Sequence, residues 1–93
     1  MKQIVVTFLT RPGCLLCADA LPVVEREARR AGHEVVIVDI ETDDRLVAEY
    51  GLRIPVLLGP DGGLLVEGPI EDVRSLRRAL RTIGRGGLRS RRR

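Results

Sequence analysis

Thr10-Arg11-Pro12-Gly13-Cys14-Leu15-Leu16-Cys17 holds both cysteines of the 93-residue chain, three positions apart. An apolar run, Ile4-Val5-Val6-Thr7-Phe8-Leu9, precedes it, and a helix-like segment, Ala18 to Ala31, follows. The cysteines therefore fall where a strand hands over to a helix. A Cys-x-x-Cys pair at such a junction reads as a redox motif. The free N–H groups and the positive dipole end of a helix stabilise a thiolate, the form that attacks disulfides. With this spacing Cys17, one turn on, can close a ring on Cys14 and release what Cys14 has captured.

Working outward, Gln3 to Leu9 is rich in β-branched residues, as expected of a strand buried on both faces. After Cys14 the apolar positions Leu15, Leu16, Ala20, Leu21, Val23, Val24, Ala28 and Ala31 suit an amphipathic helix. Pro22 predicts a kink in it, and Gly32 a stop. Glu34 to Ile40 reads as a second strand, completing a right-handed βαβ unit. Thr42 or Asp43 can cap a short helix, Asp44 to Tyr50, which Gly51 closes. Pro55 to Leu58 is a third strand, Gly59 to Gly63 a hairpin turn, and Leu64 to Glu67 a fourth strand. Gly68-Pro69 opens the last helix, with Glu71 and Asp72 in its first turn. Its apolar face is Ile70, Val73, Leu76, Leu80 and Ile83, and Gly84 ends it. The order is β-α-β-α-β-β-α, an α/β chain with one domain over residues 1–84. Residues 85–93 carry no apolar periodicity and read as a basic, disordered tail.

Composition narrows the function classes. Phe8 and Tyr50 are the only aromatic residues, so the core is aliphatic. No apolar run approaches the ~20 residues of a membrane span. The start of the chain leads directly into a strand and carries no secretory signature, which points to the cytoplasm. Two cysteines in a reducing compartment suggest catalysis or metal binding over a structural staple. Charge is split along the chain. Arg74 to Arg93 carries nine arginines and no acid, whereas Met1 to Val73 carries seven basic residues against thirteen acidic ones. The tail has no aromatic residue to stack on bases, so nucleic acid is not the expected partner.

The order of elements, Arg11-Pro12-Gly13-Cys14-Leu15-Leu16-Cys17 and Arg53-Ile54-Pro55-Val56 resemble the glutaredoxin family over roughly residues 1–84. The resemblance implies a thioredoxin-like fold: a four-stranded mixed sheet with three helices. It implies a cis Ile54–Pro55 bond facing the cysteines, with the Ile54 backbone set to pair with an extended substrate. It implies that Arg11 lowers the thiol pKa and meets a glutathione carboxylate. Gly68 and Asp72 stand near the segment that binds the γ-glutamyl end of glutathione in the family. Four positions depart from the family pattern: Leu15-Leu16 stands in place of Pro-Tyr, Pro69 in place of a second glycine, and Arg53 in place of a threonine. Thioredoxins proper differ further, with a Trp before the first cysteine, Gly-Pro between the two, and a buried acid where this chain has Phe8.

The resulting expectation is a monomeric dithiol oxidoreductase with no bound cofactor. Cys14 is its nucleophile and Cys17 its resolving thiol. Its partners are disulfide-containing proteins or glutathione mixed disulfides, with glutathione as reductant. The alternative is a binding module: a metal or iron–sulfur carrier, or a redox-inert adaptor. Zinc usually takes four ligands, and two cysteines with a remote His33 would need a second chain or glutathione to complete the set. His33 and Asp19 are expected on the solvated surface, and Tyr50 in packing at a helix end.

Overall fold

Seven residues, Ile4–Thr10, form the central strand β1 of the computed structural model, which describes residues 3–84. Side chains alternate across a strand, so β1 feeds two cores. Val6 and Phe8 are buried on one face and Leu9 on the other. Strand β2 (His33–Asp39) pairs parallel to β1. Strand β3 (Val56–Leu58) pairs antiparallel on its other side, and β4 (Leu64–Glu67) pairs antiparallel to β3. The sheet order is β2-β1-β3-β4, a four-stranded mixed sheet. Val36 and Ile37 stay largely exposed because β2 is an edge strand.

Helices α1 (Leu15–Arg30) and α3 (Val73–Thr82) cover one face. Cys17, Ala20, Val24 and Ala28 of α1 meet Leu76 and Leu80 of α3 over Val6, Phe8 and Leu57. Helix α2 (Asp44–Tyr50) covers the other face, where Leu46, Val47 and Tyr50 pack on Leu9, Ile40 and Val56. Tyr50 is thus a packing residue at a helix end, as expected.

Several boundaries move for local reasons. The helix α1 begins at Leu15 and runs on through Pro22. The second strand stops at Asp39, because Ile40–Thr42 form a 3-10 turn that Asp39 caps through the Glu41 N–H. Asp43, rather than Thr42, caps α2. The last helix starts at Val73, four residues later than Pro69, because Asp72 is its N-cap and not a first-turn residue. The basic segment 85–93 lies outside the described residues.

His33 corrects the expectation of a surface residue. It opens β2 opposite Ile4 and is only 3% exposed. Its Nε2 lies 2.9 Å from the Leu80 carbonyl, which accepts, so Nε2 carries the hydrogen. This bond ties the end of α3 to the start of the sheet.

A second tie escaped the sequence reading. Glu27, on the inner face of α1, is 2% exposed. Arg77 of α3 grips it with two bonds, Nε to Oε1 at 2.9 Å and Nη2 to Oε2 at 3.2 Å. Arg26 adds a third at 3.3 Å, and Arg30 stands 3.8 Å away. The Arg77 hydrogen bonds, opposed by burial and aided by Arg26, hold the Glu27 carboxyl at about 2, against an ordinary 4.5. A depressed carboxyl stabilises the fold above its unfolded value. That contribution is complete above pH 4.5 and is lost as pH falls through about 2.

Thermal melting should show this directly. The Tm of the wild type is expected to fall steeply between these two pH values, and the Tm of Glu27→Gln to fall less over the same window. At neutral pH Glu27→Ala should melt roughly 5–15 °C lower. Parallel pH profiles for wild type and Glu27→Gln would show that the pair does not carry the acid sensitivity.

Candidate active site

The turn Arg11–Gly13 delivers the first cysteine to the start of α1. Gly13 takes φ +83°, a conformation that side chains rarely adopt. The Cys14 N–H donates to the Arg11 carbonyl at 3.3 Å, and the Ala18 N–H to the Cys14 carbonyl at 3.1 Å. Cys14 is the N-cap of α1, in extended backbone, and its Sγ accepts from the Cys17 N–H at 3.1 Å. Sulfur here does what a Ser or Asp oxygen does at most helix starts: it satisfies an N–H that the helix leaves open.

Cys14 and Cys17 are joined in a disulfide, with their Cα atoms 5.2 Å apart. The two sulfurs are not equivalent. Cys17 points into the core and is 2% exposed, whereas Cys14 is only half-buried. An incoming thiol or disulfide therefore meets Cys14. Leu15, beside it, is 79% exposed and Leu16 is 48% exposed. Among the described residues, no three His, Cys, Asp or Glu side chains gather as metal ligands.

The Ile54–Pro55 bond is cis, as the resemblance implied. Pro55 is buried, and its carbonyl accepts from the Gly68 N–H at 2.8 Å. That bond joins the segment before β3 to the segment after β4. Gly68, at φ +80°, turns the chain there. Beyond it Pro69 and Ile70 face Leu16, Asp19, Ala20 and Val23 of α1 across a groove of about 150 Å³. Ile54, half-buried, packs between the two cores, and its N–H is donated to the Tyr50 carbonyl at 3.1 Å.

The remaining expected site residues, Arg11 and Asp72, are held by partners within the fold. Arg11 donates through Nε and Nη2 to one oxygen of Glu41, at 3.0 and 2.9 Å. Asp72 caps α3, accepting from the Arg74 N–H at 3.0 Å and the Ser75 hydroxyl at 3.1 Å. These bonds, Ser75 first, hold its carboxyl below the usual range. Arg53 is held by Glu67 at 2.8 Å and by Glu49 at 2.8 Å, and it lies over the Tyr50 ring. The Glu67 bonds lead in raising its already high pKa. Glu41 and Glu67 escaped the sequence reading, since nothing in the sequence near Arg11 or Arg53 marks a partner so far along the chain.

Comparison with known proteins agrees with this geometry. A family model, Glutaredoxin-like domain (DUF836), matches residues 5–80. The chain belongs to this glutaredoxin-like family. A structural genomics target protein from X. campestris is 34% identical, with a TM-score of 0.68, over 83% of this chain and 96% of that one. A mutant thioredoxin from Halobacterium salinarum is 25% identical, with a TM-score of 0.65, over 88% of this chain and 75% of that one. A protein from Nitrosomonas europaea, 20% identical with a TM-score of 0.63 over 72% and 80% of the two chains, shares the fold. No curated protein matches. The fold is thioredoxin-like, and no helix among the described residues is long and apolar enough to cross a membrane.

The unequal burial of the two sulfurs predicts their reactivity. In the reduced protein, brief treatment with iodoacetamide at neutral pH should modify Cys14 at least tenfold faster than Cys17, read by mass spectrometry of peptides. Equal labelling would mean that the start of α1 opens in the reduced state.

Proposed function

We propose that this glutaredoxin-like protein is a dithiol thiol–disulfide oxidoreductase. The observation that carries the reading is the position of Cys14: a half-buried cysteine at the N-cap of a 16-residue helix, its sulfur receiving the Cys17 N–H and bonded to a buried partner. A helix start lowers the energy of a thiolate there. The buried Cys17 is shielded from outside reagents, yet it lies within bonding distance of Cys14.

The reaction follows from this asymmetry. In the reduced protein the Cys14 thiolate attacks a substrate disulfide. A Cys14–substrate disulfide forms and one substrate thiolate leaves. Cys17, losing its proton, attacks the Cys14 sulfur and releases the second substrate thiolate. Two electrons pass from the cysteine pair to the substrate, leaving the Cys14–Cys17 disulfide. An external thiol, glutathione or a protein dithiol, restores the pair by the reverse exchange. Ile54, Pro55 and Gly68 form the substrate rim. With the Ile54 N–H committed to Tyr50, the Ile54 carbonyl is the backbone group that pairs with a substrate N–H. Cytoplasmic work in thiol homeostasis is consistent with this chemistry.

Two variants test the reading. With a cystine-bridged peptide as substrate, Cys17→Ser should accumulate a stable Cys14–peptide disulfide visible by mass, and Cys14→Ser should form none and lose turnover by a factor of about 10³ or more. In the Cys17→Ser variant the Cys14 thiol should ionise below the ~8.5 of a free cysteine. Failure to trap the peptide, together with a thiol at or above that value, would favour a redox-inert adaptor.

A further inference from the structure

The charges around Cys14 define what kind of disulfide the site accepts, if the oxidoreductase reading holds. The cation three residues before Cys14 is neutralised. Two Arg11 donors converge on one Glu41 oxygen, and the Arg11 side chain is only one-third exposed. The other rim cation, Arg53, next to Ile54, is clamped between Glu49 and Glu67 and is also one-third exposed. The groove between α1 and Pro69-Ile70 is lined by apolar side chains, and its one ionisable group is Asp19, an exposed acid. The Asp72 carboxylate is taken up by capping α3. Arg11 and Arg53, both paired, are thus outnumbered by the four carboxylates of Glu41, Glu49, Glu67 and Asp19.

We infer that the site selects disulfides in polypeptides whose flanking residues are apolar and basic, and that Glu41 is the specificity-determining residue that disfavours small anionic thiols such as glutathione. Glutathione brings two carboxylates and one ammonium. Its carboxylates meet no unpaired cation at Arg11 or Arg53, and they meet the like charge of the surrounding acids. A leucine-type side chain fits the apolar groove, and a lysine or arginine beside it meets Asp19. Charge of this kind acts mainly on encounter rates and on the exclusion of wrong partners. The redox step is the exchange already described. Only the substrate changes, from a glutathione mixed disulfide to a cystine in a polypeptide.

The test uses the full chain, reduced with dithiothreitol and freed of it. Rates of Cys14–Cys17 oxidation are measured by stopped flow with four probes: the uncharged bis(2-hydroxyethyl) disulfide, glutathione disulfide, and two cystine-bridged peptides that differ only in Leu-Lys or Leu-Glu flanks. The Leu-Lys peptide should react about tenfold or more faster than the Leu-Glu peptide and than glutathione disulfide. The gap should shrink as salt shortens the ~8 Å screening length. Glu41→Gln, which frees Arg11, should raise the glutathione disulfide rate about threefold or more while leaving the uncharged probe within twofold. Asp19→Asn should reduce the advantage of the Leu-Lys peptide.

Equal rates for the two peptides, or a glutathione rate unmoved by Glu41→Gln, would overturn the inference and leave the oxidoreductase reading standing. No reaction with the uncharged probe would remove both. Retention of the wild-type melting profile by both variants, whose side chains are exposed, separates a charge effect from loss of fold.

Discussion

One hydrogen bond anchors the candidate site of this protein: the Cys17 N–H donated to the Cys14 sulfur. It makes a cysteine sulfur the cap of a helix. Most N-caps are oxygen groups whose only task is to satisfy open N–H donors. A sulfur in that place is drawn toward the thiolate by the same donors and by the helix dipole. The bond requires a turn that enters the helix without blocking the sulfur. It also requires a helix face that buries Cys17, and a sheet that holds both still. The rest of the fold provides these conditions.

The sheet does so by placing β1 in its interior, with a helical layer on each face. Because β1 is paired on both edges and covered on both faces, the strand that launches the cysteine turn is held from every side. The segment that faces it, Ile54-Pro55, comes from the antiparallel side of the sheet and is anchored by Gly68. The site is therefore assembled from three stretches that the sheet brings to one end: the turn 11–17, the cis-proline segment and the loop 68–70.

Buried polar ties hold the helical layer in register. Glu27 is a full carboxylate in the core, acceptable because Arg77 meets both its oxygens and Arg26 shares one. His33 tethers the Leu80 carbonyl near the last turn of α3. Both fix α3 against α1 and β2 at the end away from the disulfide.

Much of this was legible in the sequence, because its signals are local. Periodicity and turn residues marked all four strands and all three α-helices. The Cys-x-x-Cys spacing at a strand-to-helix junction marked the redox pair, since both cysteines and the helix start lie within one stretch. Helix starts were harder: Asp72 reads as a first-turn acid until its side chain is seen to cap α3 by accepting the Arg74 N–H. Only the tertiary structure decided the long-range partners. Arg11 reads as a free cation from sequence, because Glu41 is brought to it by the pairing of β2 with β1, 30 residues on. Glu27 falls on the apolar side of α1 by its spacing from Ala20 and Val24, yet only the packing of α3, 50 residues later, supplies the arginine that makes its burial tolerable. His33 looks like a loop residue after Gly32 until β2 is seen to begin there. Local propensity acts on neighbours in the chain, whereas the charge state of a site depends on what the fold brings within a few ångströms of it.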